Sequence, residues 1–425
     1  TSSIWPLAGL TTRSYSEGRN VYTPVEPSKT AIGLQPTMDS LRVTIMSRPF
    51  AVLGLVVALL PVEGWANHDR LPDPPPQSTD QKLSSLPDLD RATITVSGLS
   101  SGGFFAHQFH IAFSKLVKGA GIIAGGPYGC VENIPNPWSP FWPRPLDRVS
   151  AAVVACTHYF GSRYYGLRPS APEAEDSVRL IREAANQGLI DDPANLADSR
   201  VWLFHGKSDA IVPLGIMETL KQVYSTFGVH ETKLRFDQNQ SGASANHGMP
   251  VSQFTGESTF PVRECGQHEP PYVIQCGYEA AEMLLRHLYP EPLTLASNNP
   301  HRDGSMVAFD QSEFFDPANR SVSLHGVGYL YVPTPCATHQ CRLHVAFHGC
   351  KQDVDNVYDD FIRDAGYNRW ASSNNIVVLY PQATASAANP NRCWDFWAYS
   401  GTDYANRSGP QMRAVKAMVD RLIGQ

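Results

Sequence analysis

The stretch that most constrains this chain is a Gly-x-Ser-x-Gly turn with a strand before it and a helix after it. Residues 92–96 are rich in β-branched side chains, which favour a strand. The turn itself reads Gly98-Leu99-Ser100-Ser101-Gly102, and large apolar residues then recur at helical spacing up to Gly119. Strand, turn and helix in this order are typical of a nucleophile elbow, in which the central serine has a strained backbone. We therefore predict Ser100 as a nucleophile and the N–H of Ser101 as a donor to a developing oxyanion.

A serine hydroxyl is a weak nucleophile at neutral pH and needs an imidazole and a carboxylate to activate it. In hydrolases with such an elbow, the three residues follow the chain order Ser, Asp, His. Asp209 follows the predicted strand 201–204, and His247 lies in a polar loop, so Ser100, Asp209 and His247 satisfy that order. The alternative for Asp209 is a helix cap before Val212. Three histidines in or beside predicted packed elements compete less well for the role of base: His158, His205 and His230.

Alternating strands and helices predict an α/β fold with a mainly parallel sheet and helices on both faces. After the elbow, strands are predicted at 120–124, 201–204, 232–236, 328–332, 343–347 and 376–380. Helices are predicted within 172–197 and at 214–227, 277–288, 359–373 and 409–423. No internal repeat interrupts this pattern.

The elbow comes too early in the chain for an ordinary α/β hydrolase. It follows a predicted cleavage site at residue 66 so closely that the four strands which normally precede it do not fit. Strand 343–347 and the following His348-Gly349-Cys350 resemble the strand and loop that supply the first oxyanion donor. We therefore predict a circularly permuted α/β-hydrolase fold, with its termini close together beside the elbow. The predicted oxyanion hole consists of the N–H groups of Ser101 and Cys350.

The N-terminal region has the composition of targeting and linking segments. A basic flank at Arg48, an apolar run over 50–62 and small residues near Ala66 predict a signal peptide at 46–66. A membrane anchor is the alternative, but the run is shorter than the roughly 20 residues of a spanning helix. Residues 1–45 are expected to be an upstream extension absent from the mature protein, residues 67–82 a Pro-rich linker, and residues 83–425 a single catalytic domain. We expect a secreted protein, extracellular or periplasmic, without membrane association after cleavage.

All eight cysteines follow the predicted signal peptide, and an even number in an exported chain indicates disulfides. Roughly one hundred connectivities are possible for eight cysteines, so spacing expresses only a preference. The preferred pairs are Cys336–Cys341 and Cys265–Cys276, with Cys130–Cys156 and Cys350–Cys393 as the remainder.

Charge and motifs exclude several classes of function. The chain has 425 residues and a net charge of -6 without a basic block, which argues against nucleic-acid binding. It carries no dinucleotide fingerprint, P-loop or metal-ligand spacing, so we expect no cofactor and no metal. The acidic residues 353–360 could hold Ca²⁺, but a solvated helix start is the favoured interpretation. His107 and His110 could share a metal on one helix face, but two surface histidines are favoured.

Four blocks together resemble a known family. They are residues 96–103, residues 124–128, His344–Cys350 and Cys393-Trp394-Asp395. Over residues 88–425 the chain resembles the fungal and bacterial single-domain poly(3-hydroxybutyrate) (PHB) depolymerases. The resemblance implies a secreted, disulfide-bonded, circularly permuted hydrolase with the triad, oxyanion hole and cysteine pairs given above. It also implies that Trp394 lines the crevice where a polymer end binds.

The leading functional hypothesis is therefore a serine esterase that cuts solid or oligomeric PHB into soluble products, and that we expect to be a monomer. An esterase for feruloyl or acetyl plant-wall esters, or for other aliphatic polyesters, is the alternative. A non-catalytic polymer-binding protein and a peptidase are weaker hypotheses. Residues 158–200 could include an added lid. The aromatic residues Trp138, Phe141 and Trp142 could adsorb polymer or form a structural flap.

Overall fold

The computed structural model describes residues 78–86, 88–132, 152, 156–157, 173–238, 244–253, 259–261 and 263–425. The predicted extension, signal peptide and most of the linker lie outside these residues. So do the aromatic residues Trp138, Phe141 and Trp142, the competing histidine His158, and most of the chain between residues 133 and 172, where part of a lid was predicted. Across the described ranges, no helix has the length and apolar character needed to cross a membrane.

Short strands and helices alternate along the described chain. The strands are β1 (Thr95–Leu99), β2 (Gly119–Ile123), β3 (Arg200–Phe204), β4 (Leu234–Asp237), β5 (Met249–Val251), β6 (Arg263–Glu264), β7 (Val273–Gln275), β8 (Gly304–Asp310), β9 (Val327–Pro333), β10 (Arg342–Phe347) and β11 (Ile376–Tyr380). The helices are α1 (Ser101–Ala112), α2 (Ala174–Asn186), α3 (Leu214–Thr226), α4 (Ala280–Leu288), α5 (Pro300–Asp303), α6 (Val354–Val357), α7 (Asp360–Asp364), α8 (Tyr367–Ser372) and α9 (Pro410–Leu422).

Eight strands form one sheet in the order β4-β3-β2-β1-β10-β11-β9-β8. The six strands from β4 to β11 pair in parallel, and β9 and β8 continue the sheet in antiparallel pairing. A second sheet has the order β5-β7-β6. The predicted α/β class with a mainly parallel sheet is confirmed.

The strand order shows the circular permutation. Counted from its β8 edge, the sheet runs β8, β9, β11, β10 and then β1, so four strands from late in the chain precede the elbow strand. The join between the two parts is a parallel pairing in which Thr95 lies beside His344 and Gly98 beside Phe347. These four late strands take the positions of strands that would precede the elbow in an unpermuted hydrolase, and the predicted permutation is confirmed.

The two ends of the catalytic fold meet, as the permutation requires. The Leu86 N–H donates to the Leu422 carbonyl at 2.8 Å, and the Arg421 guanidinium donates to the Leu83 carbonyl at 3.2 Å. Leu83 is buried against the core. Helix α9 therefore leads in space to the segment that enters β1.

The core is centred on the elbow. All residues of β1 and β2 are buried, as expected for parallel strands covered on both faces. Every residue of α1 is buried as well, so this helix is packed on all sides. Its Phe105 ring packs edge-on against Phe347 of β10, with ring centroids 5.0 Å apart. The elbow serine is therefore mounted on the most completely buried strand–helix pair of the described fold.

Two elements begin or end at residues other than those predicted, and local hydrogen bonds and backbone conformation explain the difference. Strand β1 begins at Thr95 because Asp90 caps a 3₁₀ turn over Arg91–Thr93 and accepts the Ala92 N–H at 2.9 Å. The helix predicted at 359–373 is split into α7 and α8 at Gly366, whose φ is +86°. A left-handed residue ends an α-helix, and glycine adopts that conformation without steric cost.

Two side-chain interpretations from the sequence are wrong. His107 and His110 are fully buried, and His110 hydrogen-bonds the Tyr224 hydroxyl and the Ser199 hydroxyl, each at 3.0 Å. Burial lowers the pKa of His110 to about 3. The two imidazoles lie inside because α1 has no solvent-facing side, so the surface positions expected from helical spacing do not exist.

The acidic residues 353–360 are not a solvated helix start. Asp353 is buried and pairs with Arg392 at 2.9 Å, and Asp355 pairs with the same guanidinium. Asp360 is buried and accepts the N–H groups of residues 259 and 260, each at 2.9 Å. Within the described ranges, no cluster of three or more potential metal-ligating side chains is present.

Candidate active site

The elbow places Ser100 where strand β1 ends. Ser100 has φ 57° and ψ −123°, a conformation that a non-glycine residue adopts only under strain. A Cβ on Gly98 would lie 2.2 Å from the Gly102 carbonyl oxygen, and a Cβ on Gly102 would lie 2.4 Å from the His348 carbonyl oxygen. Glycine is therefore required at both flanks of the turn. The Ser100 N–H donates to the Ile123 carbonyl at 2.9 Å, which ties the elbow to β2.

Asp209 and His247 meet although 38 residues separate them. Asp209 lies in the turn after β3, and His247 lies just before β5. The Asp209 Oδ2 and the His247 Nδ1 are 2.8 Å apart. The other carboxylate oxygen of Asp209 accepts the N–H groups of Ile211 and Val212 at 2.8 and 3.0 Å. One oxygen of Asp209 thus caps the turn before α3, and the other binds the imidazole of His247. The helix-cap role and the contact with the histidine, which the sequence analysis gave as alternatives, are both present.

The surroundings of Asp209 keep it ionised. Burial raises its pKa, but the charge and hydrogen bond of His247 and the two backbone N–H donors outweigh burial, so the pKa lies below its usual value. The carboxylate is 1% exposed and the imidazole 6% exposed, so water competes little for their contact. An ionised Asp209 favours the tautomer with hydrogen on Nδ1, which leaves the His247 Nε2 as a proton acceptor.

Ser100 and His247 line the same cavity, which has a volume of about 490 Å³. No hydrogen bond joins these two side chains, both of which the structure describes. Contacts between a nucleophile and its base are often long without substrate and tighten in the complex. The described cavity wall also includes apolar side chains, among them Phe104, Ile211 and Trp397. The site can therefore hold an apolar substrate beside Ser100 and His247.

The loop after β10 passes close to Ser100 and contains a backbone N–H that has no acceptor among the described residues. The Gly349 N–H donates to the Gln352 Oε1 at 2.8 Å, so it is already occupied. The N–H groups of Ser101 and Cys350 donate to no acceptor in the part of the chain that the structure describes. The backbone at Gly349 lies against the serine, since a Cβ there would be 3.5 Å from the Ser100 Cβ. This arrangement suits the oxyanion hole predicted from Ser101 and Cys350.

Gln352 connects that loop to the loop that follows His247. It is 1% exposed, and its Nε2 donates to the carbonyls of Pro271 and Tyr272 at 3.0 and 3.3 Å. One buried amide therefore fixes the spacing between the Cys350 N–H and the far wall of the cavity. The sequence offered no signal for this role, because the partners of Gln352 lie about 80 residues away along the chain.

Four disulfides are present among the described residues, and no described cysteine is free. They are the pairs preferred from spacing and implied by the resemblance: Cys130–Cys156, Cys265–Cys276, Cys336–Cys341 and Cys350–Cys393. Cys350 and Cys393 both line the cavity, so their bond joins two of its walls. The Cys265–Cys276 bond closes the loop that carries His268 and Tyr272.

Trp394 does not line the cavity, which corrects the role that the resemblance implied. It is fully buried beneath the elbow, where its ring packs on Phe105 at 4.8 Å and on Phe347 at 5.0 Å. Its backbone N–H donates to the Ser101 hydroxyl at 3.3 Å. The cavity is lined instead by Phe396 and Trp397. The segment around Trp394 does reach the cavity, but through the aromatic residues that follow Trp394 and not through Trp394 itself.

His268 is a site residue that sequence reasoning missed. Its Nδ1 donates to the His247 carbonyl at 2.7 Å, and the two rings meet edge-on with centroids 5.4 Å apart. Burial lowers the pKa of His268. The competing histidines have other surroundings: His205 is buried against the Val212 carbonyl, and His230 is exposed and bonds Thr232. The only available signal for His268 was its position between two cysteines.

The chain is similar to known proteins over most of its length. The family model described as Esterase PHB depolymerase matches residues 327–424. The chain is 36% identical over 342 residues to a poly(3-hydroxybutyrate) depolymerase of Delftia acidovorans, a match that covers 79% of this chain and 60% of that protein. The chain thus spans less than two thirds of the Delftia protein's length.

Two further similarities extend over nearly all of the related chain. A polyhydroxybutyrate depolymerase of Talaromyces funiculosus is 30% identical over 345 residues, covering 78% of this chain and 89% of that protein. A solved PHB depolymerase complexed with an R3HB trimer superposes with a TM-score of 0.65 and 27% identity, covering 81% of this chain and 99% of that one. With the permuted sheet and the elbow, these similarities show that the chain belongs to the family of PHB depolymerase esterases.

Proposed function

We propose that this protein is a serine esterase that hydrolyses poly(3-hydroxybutyrate) to soluble oligomers and monomers. The observation that carries the proposal is the buried Asp209–His247 pair, whose imidazole lines the same cavity as the strained elbow serine Ser100. Membership of the PHB depolymerase esterase family supports the choice of substrate. The apolar cavity wall suits an aliphatic repeat whose only polar group is its ester.

The proposed reaction proceeds through an acyl-enzyme. His247 takes the hydroxyl proton as Ser100 attacks the ester carbonyl, and Asp209 stabilises the imidazolium that forms. The N–H groups of Ser101 and Cys350 bind the resulting oxyanion. His247 then gives its proton to the departing alkoxide, and the alcohol end of the polymer leaves. Water repeats the sequence on the acyl-enzyme, which releases the acid and restores Ser100.

We also propose that residues 46–66 are removed during secretion and that residues 83–425 form the catalytic domain. The four disulfides support an oxidising destination, because reduced cysteines prevail in the cytosol. Expression of the full chain in a secreting host tests this. We expect protein in the medium whose N-terminus lies beyond Ala66, and retention inside the cell with residues 46–66 intact would contradict secretion.

A Ser100→Ala variant tests the reaction. It should neither clear a PHB suspension nor hydrolyse a soluble short-chain ester, whereas Ser225→Ala, at an exposed position of α3, should match the wild type in both assays. Circular dichroism checks that both variants are folded. Full activity in the Ser100 variant would refute the proposed nucleophile. A wild type that cleaves the soluble ester but leaves PHB intact would refute the substrate and not the mechanism.

A further inference from the structure

One cation at the catalytic cavity has no role in the reaction described above. Lys351 follows the proposed oxyanion donor Cys350 and lines the cavity. Among the described residues of the cavity wall, it is the only lysine or arginine, and no aspartate or glutamate lines that wall. The chain as a whole has 40 acidic against 34 basic residues. The positive charge at the cavity wall is therefore opposite in sign to the net charge of the chain.

The backbone of Lys351 is held firmly. It has φ 56°, a left-handed conformation that costs energy in a residue other than glycine. Its N–H donates to the Asn391 carbonyl at 2.8 Å. The disulfide from Cys350 lies on one side and the buried amide of Gln352 on the other. The lysine side chain therefore starts from a fixed point beside the oxyanion hole.

The ammonium group of Lys351 is not neutralised by its neighbours. Asp353 and Asp355, the carboxylates nearest to it in the chain, are both paired with Arg392. No carboxylate of the described ranges lies within ion-pair distance of Lys351, and the side chain is exposed. An unpaired ammonium on a flexible four-carbon stem can bind an anion that enters the cavity.

A polyester of hydroxy acids has one negative charge, the free carboxylate at one chain end. When an ester near that end is cleaved, the carboxylate belongs to the departing alcohol fragment. We propose that Lys351 binds this terminal carboxylate and so directs the enzyme to chains and soluble oligomers that present a free carboxyl end. This inference rests on the proposed function and adds end-group recognition to it.

The test compares two 3-hydroxybutyrate trimers, one with a free carboxylate and one with a terminal carboxamide, which has a similar shape and no charge. Wild type should prefer the acid, and Lys351→Met should lower the acid-to-amide ratio of kcat/KM by about three- to tenfold, the range for a partly exposed charged contact. The loss should fall on KM, because the carboxylate is bound equally in the ground and transition states. Salt should weaken the wild-type preference.

Lys351→Arg should keep the preference, and Lys221→Met should leave it unchanged because Lys221 is exposed on α3 away from the cavity wall. An acid-to-amide ratio that is the same in wild type and Lys351→Met would overturn the inference and leave the proposed function standing. A wild type that hydrolyses neither trimer nor PHB would overturn both.

Discussion

The two halves of the candidate site are built in different ways. Ser100 and Cys350 follow the ends of β1 and β10, neighbouring central strands whose backbones pair directly. Asp209 and His247 lie in turns and loops outside the strands, and they are held by the contact between their side chains, by side-chain to backbone hydrogen bonds and by a nearby disulfide. The sheet thus positions the nucleophile half through the main chain, whereas the acid–base half depends on particular side chains. Substitutions in the two halves should therefore have different effects on activity and stability.

The largest expected effect is in the acid–base half. Asp209→Asn should lower kcat by about 10⁴-fold, because the amide no longer favours the tautomer that leaves Nε2 free. Asp198→Asn is the matched control, since that carboxylate is 98% exposed. Steady-state kinetics on a soluble ester measure both. A loss smaller than tenfold in the Asp209 variant would mean that this half does not depend on the Asp209–His247 contact.

The next largest effect concerns the disulfide that joins two walls of the cavity beside Ser100. Replacing Cys350 and Cys393 together by alanine should lower the free energy of unfolding by about 2–5 kcal/mol and reduce activity with it. Removing Cys336 and Cys341 should cost less and spare activity, because that bond spans 5 residues instead of 43 and its cysteines are absent from the described cavity wall. Urea unfolding and ester hydrolysis distinguish these outcomes. Equal losses from the two double variants would contradict a special role for the cavity bond.

Gln352 joins the two halves, and its removal should give a smaller effect. Gln352→Met keeps the volume but frees the Gly349 N–H and the carbonyls of Pro271 and Tyr272. We expect kcat to fall by about 10- to 100-fold with little change in KM, because the oxyanion donor shifts while the substrate contacts stay. Gln222→Met, on the exposed side of α3, is the control. A change confined to KM or to the melting temperature would refute the positioning role.

The smallest effect is in the pH dependence of stability. The folded-state pKa of Asp209 lies below its unfolded value of about 3.9, so its contribution is present above that value and is lost as pH falls through the folded pKa. The stability advantage of wild type over Asp209→Asn should therefore shrink on acidification from about pH 5 to pH 3. Thermal unfolding of both proteins across this range provides the measurement, and an advantage that grows towards low pH would contradict the assignment.

The contrast between the two halves also separates what the sequence could predict from what it could not. The elbow could be recognised because its glycines, serine and flanking elements are contiguous. The permutation followed from the position of the elbow in the chain, and strand β11 was predicted with its exact limits at residues 376–380. Features encoded in one short stretch, or in the order of such stretches, are therefore accessible without coordinates.

Features that depend on distant partners were missed. Gln352 and His268 act through contacts with residues brought close only by the fold. His107 and His110 were assigned to the surface because their spacing on α1 cannot reveal that the helix is covered on every side. Trp394 was assigned to the cavity because a sequence block does not show which of its aromatic residues turns outwards.

The most direct test of the account is covalent labelling of the intact enzyme with a fluorophosphonate, which reacts with activated serines. Peptide mapping by mass spectrometry should find the label on Ser100, and the labelling rate should drop sharply in His247→Ala while Ser225→Ala labels as fast as the wild type. A label on a different serine, or labelling of Ser100 at an unchanged rate without His247, would contradict the account.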